Sequence, residues 1–292
     1  MFSSQRSAWP ELQWVEVDDV IAQSKKKTDS EGPTLPPGPL TSEVAFLQYT
    51  SGSTSEPKGV MITHENLAHN ESVIVRELKA DESTICVSWL PQYHDMGLIG
   101  SYLGTLYCGG SGFYMSPLSY LKDPILWVQA MSMHKATHTQ APNFAYALTA
   151  RKFKEAMTVD PEHVRTLQLD LSSIQNMLNA AEPVDANAIS GFYSLFEQFG
   201  LRRGVIIPTY GLAEHTVFVC SRGQTVLHLN KREFEMGNIS IQDSYGLHDY
   251  HKTENSDREV HIVVGCGFPS LDNDIEVIVV DESNTVLGEN MV

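Results

Sequence analysis

No stretch of this chain approaches the roughly 18 unbroken apolar residues that a membrane-crossing helix needs. The opening Met1-Phe2-Ser3-Ser4-Gln5-Arg6 also lacks the apolar core of a secretory leader, so the expected location is the cytoplasm. Cysteine is scarce. Cys86, Cys108, Cys220 and Cys266 lie far apart and form no C-x-x-C pair, which argues against a zinc knuckle or a disulfide framework and leaves buried free thiols. Basic charge is short too: 20 Lys+Arg against 36 Asp+Glu give a net charge of −16, and the basic run Lys25-Lys26-Lys27 is too small to make a nucleic-acid surface. A nucleotide is still an acceptable ligand, because the local site and its magnesium decide that contact. No internal repeat is present, which excludes a solenoid.

What is present is a globular chain of 292 residues, 42% hydrophobic, able to bury one large core or two smaller ones. Residues 22–43 are rich in Pro, Gly, Ser and charge and read as a flexible linker. From Val44 onward short apolar runs alternate with helical patterns. Strands are expected at 44–49, 84–89, 136–141, 174–180, 204–210, 216–221, 260–265 and 274–281, with helices near 64–79, 122–134, 143–157 and 185–199. The last of these helices opens after Asp185 as N-cap and ends at Gly200. The pattern predicts an α/β fold of layered, partly parallel sheets flanked by helices over 44–215, then a β-rich subdomain over 216–292 in which 222–259 is polar and irregular.

The loop after the first expected strand, Tyr49-Thr50-Ser51-Gly52-Ser53-Thr54-Ser55-Glu56-Pro57-Lys58-Gly59-Val60, offers backbone N–H groups, hydroxyls and one lysine, the equipment for holding a polyphosphate. It is not a Walker A loop, which needs G-x-x-x-x-G-K-[ST]. A solvated Ser/Thr linker is the plain alternative, but ordered apolar runs flank both sides. The stretch resembles the phosphate-binding signature of the adenylate-forming superfamily, which includes acyl-CoA synthetases, luciferases and nonribosomal-peptide adenylation domains.

Three further motifs occur in that superfamily's order. Leu90-Pro91-Gln92-Tyr93-His94-Asp95-Met96-Gly97-Leu98 follows a strand and should place His94 at a strand end facing a cleft. It is similar to the fatty acyl-AMP ligase form of a motif that borders the carboxylate and acyl pocket, so His94, Asp95 and Met96 are the expected substrate contacts. Asn179-Ala180-Ala181-Glu182-Pro183 resembles the G-A-E-P segment that lines the adenine pocket, with Ala180 in place of glycine. Pro208-Thr209-Tyr210-Gly211-Leu212-Ala213-Glu214 sets an aromatic ring, a glycine and a carboxylate at one strand end. Tyr210 could stack on adenine, Gly211 admits a close backbone approach and Glu214 could hold magnesium. The ligase branch commonly departs from the superfamily pattern at Ser55 and Ala213, and Lys231-Arg232 within 223–259 resembles its characteristic insertion. His134 and His138, four residues apart, fall on an expected strand rather than one helix face and are read as structural. Gly109-Gly110-Ser111-Gly112 has no lysine nearby and reads as a helix-ending turn.

The resemblance implies an ATP- and Mg2+-dependent ligase that activates a fatty acid as acyl-AMP and passes it to an acyl-carrier protein or polyketide synthase module. Thr50, Ser51, Gly52, Ser53, Thr54 and Lys58 would hold the phosphates, and Ala180, Ala181, Glu182, Tyr210, Gly211, Leu212 and Ala213 the nucleotide. Lys58, His94 and Glu214 would carry the chemistry, with Glu214 on the metal. It also implies that 1–21 is the remnant of a preceding subdomain and that the chain stops short of the family's hinge and C-terminal lysine domain. An acyl-CoA synthetase core and a non-catalytic nucleotide- or acyl-binding fragment are the alternatives.

Overall fold

The computed structural model describes residues 38–50, 58–250, 259–269, 275–281 and 283–288. Contacts divide the chain into two units, Met1–Leu40 and Thr41–Val292, and the architecture that follows belongs to the second.

The first element is a hairpin. β1 (Val44–Thr50) runs antiparallel to β2 (Lys58–Thr63), with Thr50 directly opposite Lys58. The chain then enters α1 (His64–Leu78) through a capping box, in which Thr63 Oγ1 accepts from Asn66 N–H (3.1 Å) and Asn66 Oδ1 accepts from Thr63 N–H (3.0 Å). The left-handed Lys79 (φ 53°) stops it.

A six-stranded sheet organises the rest. β3 (Ile85–Ser88) is followed by Met96–Leu103, wound as a π-helix, which runs directly into α2 (Gly104–Cys108) and then β4 (Ser111–Tyr114). Next come α3 (Pro117–Lys122), α4 (Ile125–Met133), β5 (His138–Pro142), α5 (Asn143–Val159), α6 (Pro161–Thr166) and β6 (Asn176–Ala180). α7 (Ala186–Phe196), β7 (Ile206–Gly211) and β8 (Phe218–Ser221) complete it. The strand order is β4-β3-β5-β6-β7-β8; the first five are parallel and β8 is antiparallel to β7. The chain moves outward from β3 to β4 and then back past β3 to β5. Connections that leave neighbouring strands in opposite directions open a crevice at their carboxyl ends, the usual ligand position in open α/β sheets.

Both faces of this sheet are covered. Met177 packs into an aromatic cluster with Trp127, Tyr146, Phe192 and Phe196, while its neighbour Leu178 joins Ile74, Leu78, Ile99 and Phe218 on the other side. Successive strand residues point to opposite faces, so a doubly covered strand reads as an unbroken apolar run. Two of the buried aromatic rings have their polar atoms paired. Trp127 Nε1 donates to Thr139 Oγ1 (3.0 Å) and the Tyr146 hydroxyl donates to Leu178 O (2.7 Å), which ties β5 and β6 to the helices beneath them.

Beyond β8 a three-stranded antiparallel sheet has the order β10-β9-β11. β9 (Thr225–Asn230) and β10 (Ile241–Gly246) flank a short α8 (Lys231–Glu235), and β11 is Val260–Val264. Here the sequence expectation needs two corrections. Over its described part, 222–250, the stretch is not irregular: β9, α8 and β10 lie in it, and β10 is exposed along its whole length, so it carries no apolar alternation to announce it. The strand expected over 274–281 is absent among the described residues, where Val280 makes a single bridge to Val286 and Val277, Ile278 and Val279 are exposed. A β-branched run makes a strand only with a partner to pair with. β4 was also not anticipated, since the glycines that end α2 hide a four-residue edge strand.

Candidate active site

A cleft of about 360 Å³ opens at the carboxyl ends of β3, β5, β6 and β7 and is closed on one side by the end of β1. Thr50, His94, Asp95, Met96, Ala180, Ala181, Gly211 and Ala213 line it, so parts of all four sequence motifs meet in one place. Their positions follow from the sheet: each motif begins where a strand ends or, for the first, where the hairpin turns.

The Ser/Thr-rich stretch is flanked by described residues on both sides. Thr50 and Lys58 are paired residues of the hairpin, which brings the entry and exit of residues 51–57 together. Ser51, Gly52, Ser53 and Thr54 lie outside the described residues, and Lys58 stands at the hairpin end without lining the cleft.

After β3, Asp95 caps the π-helical segment, with Oδ1 accepting from Met96 N–H at 2.6 Å. The same oxygen lies 2.8 Å from His94 Nδ1. The hydrogen bond to Asp95 raises the His94 pKa above its usual value, against an opposing effect of burial. With Nδ1 committed to Asp95, Nε2 is the ring nitrogen available to a ligand carboxylate.

Asn143 fixes the next motif. Its Oδ1 accepts from Asn179 Nδ2 (3.0 Å) and from Asp185 N–H (3.1 Å), joining the end of β6 to the start of α7. Between them Ala181 is held at φ 67°, a left-handed conformation that costs a residue with a Cβ about 1–2 kcal/mol. Such strain concentrates at functional sites. Glu182 turns away from the cleft lining; its carboxylate accepts from the Phe144 N–H and so caps the N-terminus of α5.

In the last motif strand alternation separates neighbours. Thr209 and Gly211 line the cleft, while Tyr210 does not and is half exposed. Gly211 cannot be replaced freely: a Cβ there would stand 1.8 Å from Val217 O. Leu212 packs against the α1 side of the core. Glu214 lies one residue beyond the cleft residue Ala213, in a neighbouring cavity with Glu65, Asn66 and His69. Among the described residues no group of three or more His, Cys, Asp or Glu could hold a metal ion by itself. His138, which lines no metal site, is a buried structural histidine bonded to Leu78 O (3.1 Å), and burial lowers its pKa.

The sequence did not point to the apolar wall. Ile74 and Leu78 from α1, Gly100, Gln140, Leu178, Val217 and Phe218 close that side. Asn70 positions Phe218, with Nδ2 donating to Phe218 O and Oδ1 accepting from Phe218 N–H, each at 3.0 Å. One signal was available for Gln140: an uncharged amide inside a strand buried on both faces needs a reason.

A crevice at a topological switch point, polar at the hairpin end and apolar toward α1, defines an α/β ligand-binding core built for an amphiphilic molecule. The family described as AMP-binding enzyme matches residues 5–289, and the chain belongs to it. It is 34% identical over 270 residues to a medium-chain-fatty-acid–[acyl-carrier-protein] ligase of Moorena producens (strain JHB), covering 90% of this chain and 41% of that protein. It is 39% identical over 184 residues to a putative fatty-acid–CoA ligase of Mycobacterium tuberculosis (strain ATCC 25618 / H37Rv), covering 61% of this chain and 30% of that protein. Among solved structures, the fatty acyl-adenylate ligase from L. pneumophila, in complex with acyl adenylate and pyrophosphate, superposes with a TM-score of 0.71 at 35% identity, over 85% of this chain and 40% of that one. The chain thus spans less than half the length of these relatives.

Proposed function

We propose that this chain is the nucleotide- and acyl-binding core of a fatty acyl-AMP ligase, which activates a fatty acid with ATP and releases pyrophosphate. The observation that carries the reading is the single cleft that gathers Thr50, His94, Ala180, Ala181 and Gly211 with an apolar wall behind them. In the reaction the fatty-acid carboxylate attacks the α-phosphorus of ATP in line, the bond to the bridging oxygen breaks, and pyrophosphate leaves with the electron pair. Positioning and charge neutralisation supply the rate in such transfers. His94 Nε2 would orient the carboxylate, the hairpin loop with Lys58 would hold the β- and γ-phosphates, and the backbone at Gly211 with Ala180 and Ala181 would receive the nucleoside.

Magnesium bound mainly by phosphate oxygens needs few protein ligands. The single carboxylate of Glu214, beside the cleft, fits that requirement; the metal would neutralise phosphate charge. The activated acyl group would pass to an acyl-carrier protein or polyketide synthase module. No helix among the described residues is long and apolar enough to cross a membrane, which is compatible with cytoplasmic work.

Fatty-acid-dependent ATP–pyrophosphate exchange, measured with this chain and with a version extended to the length of its relatives, tests the reading. Exchange that requires a fatty acid is the expected result, and none from either would end it. Relatives carry both carrier-protein-ligase and CoA-ligase names, so products are analysed with coenzyme A added: acyl-AMP is expected, and ready acyl-CoA formation would move the protein to the synthetase branch.

A further inference from the structure

Behind the cleft lies a second void of about 30 Å³, bordered by Val75, Ala80, Thr84, Cys86, Thr105 and Cys108. That is room for about one water molecule. Five residues border both spaces: Ile74, Leu78, Gly100, Gln140 and Leu178. Four are apolar or glycine, and Gln140 is the exception. It is the polar side chain in the partition that these five residues form.

The partition is built rather than incidental. Gln140 is only 6% exposed, and its Nε2 donates to Ser101 Oγ at 2.6 Å, which in turn donates to Ser88 Oγ at 3.0 Å. The amide lies flat against Gly100: a Cβ at that position would stand 2.7 Å from Oε1 and 2.9 Å from Nε2. Glycine thus makes the space in which the amide lies, and the serine pair holds it there. A chain entering from the polar end and running along Ile74, Leu78 and Leu178 meets this amide before it can reach the void beyond.

We propose that Gln140 is the specificity-determining residue that ends the acyl site, so that its side chain sets the longest acyl chain accepted. The inference rests on the acyl-AMP reading of the cleft. The side chain blocks by its volume, and its bond to Ser101 holds that volume in place, so a longer apolar chain would have to push a packed, buried group aside. Shortening the side chain joins the two spaces and lengthens the site.

The test uses non-hydrolysable acyl-sulfamoyl adenosines with chains from roughly six to roughly eighteen carbons, titrated calorimetrically into this chain and into its extended form; each accommodated methylene is worth roughly tenfold or more in discrimination. The wild type is expected to show a sharp drop in affinity at one chain length. Gln140→Ala should move that drop by about two carbons and improve binding of the first excluded ligand roughly tenfold, and Gln140→Asn by about one carbon. Gln140→Leu, which keeps the volume without the amide, should keep the drop where it is, whatever it does to absolute affinity. The inference is overturned if Gln140→Asn and Gln140→Ala leave the cut-off unmoved, or if Gln140→Leu shifts it as far as Gln140→Ala does. If no acyl-sulfamoyl adenosine binds the wild-type chain or its extended form, the acyl-AMP reading falls and the inference with it. Binding with no length dependence overturns the inference alone.

Discussion

Glu71 is a carboxylic acid in the wrong place, and the consequence can be worked out. It sits on α1 with 3% of its surface exposed, and neither oxygen has a hydrogen-bond partner among the described residues. Burial pushes its pKa from 4.5 up to about 8. Between those two values the folded chain holds a proton that the unfolded chain has released, so stability must fall as pH rises through the window. The slope approaches about 1.4 kcal/mol per pH unit. At pH 7, 2.5 units above 4.5, the accumulated loss is about 3 kcal/mol, and above pH 8 it levels off.

Glu71→Gln keeps the shape of the neutral acid and removes the proton. The variant should therefore match the wild type near pH 4.5–5 and exceed it by about 3 kcal/mol at pH 7, which is about 5–10 °C in Tm for a chain of this size. Urea and thermal unfolding, followed by tryptophan fluorescence from pH 5 to 9, gives the difference curve. All other titrating groups are common to both proteins and cancel in it. Parallel curves would refute the reasoning, because they would mean that Glu71 is solvated or paired in the folded chain.

Three further outcomes follow from the site geometry. Asn70→Ala removes both hydrogen bonds to the Phe218 backbone and strands a buried N–H and C=O, a loss of roughly 2–4 kcal/mol in unfolding free energy by urea titration; a change below about 1 kcal/mol would show that β8 is held by other contacts. Ala181→Gly relieves the left-handed strain at φ 67° and should raise stability by about 0.5–1 kcal/mol, while Ala181→Val should lower it by at least as much; equal thermal midpoints for all three would place Ala181 in an ordinary conformation. His94 should titrate above its usual 6.5 by NMR, and Asp95→Asn should bring it down. The stabilisation from that pair is present below pH 6.5 and is lost as pH rises through the raised value; an unchanged titration in Asp95→Asn would remove Asp95 as the cause.

The parallel core was legible because its central strands are buried on both faces and its helices carry local stop and start signals: Asp185 caps α7 and Gly200 closes the turn after it, as their residue types require. The site was legible only where its chemistry is written in consecutive residues at strand ends. Consecutive residues still do not share a face. Tyr210 sits between two cleft residues without lining the cleft itself, and the Glu182 carboxylate accepts at the end of α5. The apolar wall was hidden for a different reason. Ile74, Gln140 and Leu178 come from α1, β5 and β6 and share no local pattern; only the strand order brings them together. The polar half of the cleft is therefore specified by short motifs, and the apolar half by packing between distant elements. On the proposed reading, that division would let a chain keep the nucleotide motifs of its family while its acyl preference rested on single residues such as Gln140, which can change without disturbing any motif.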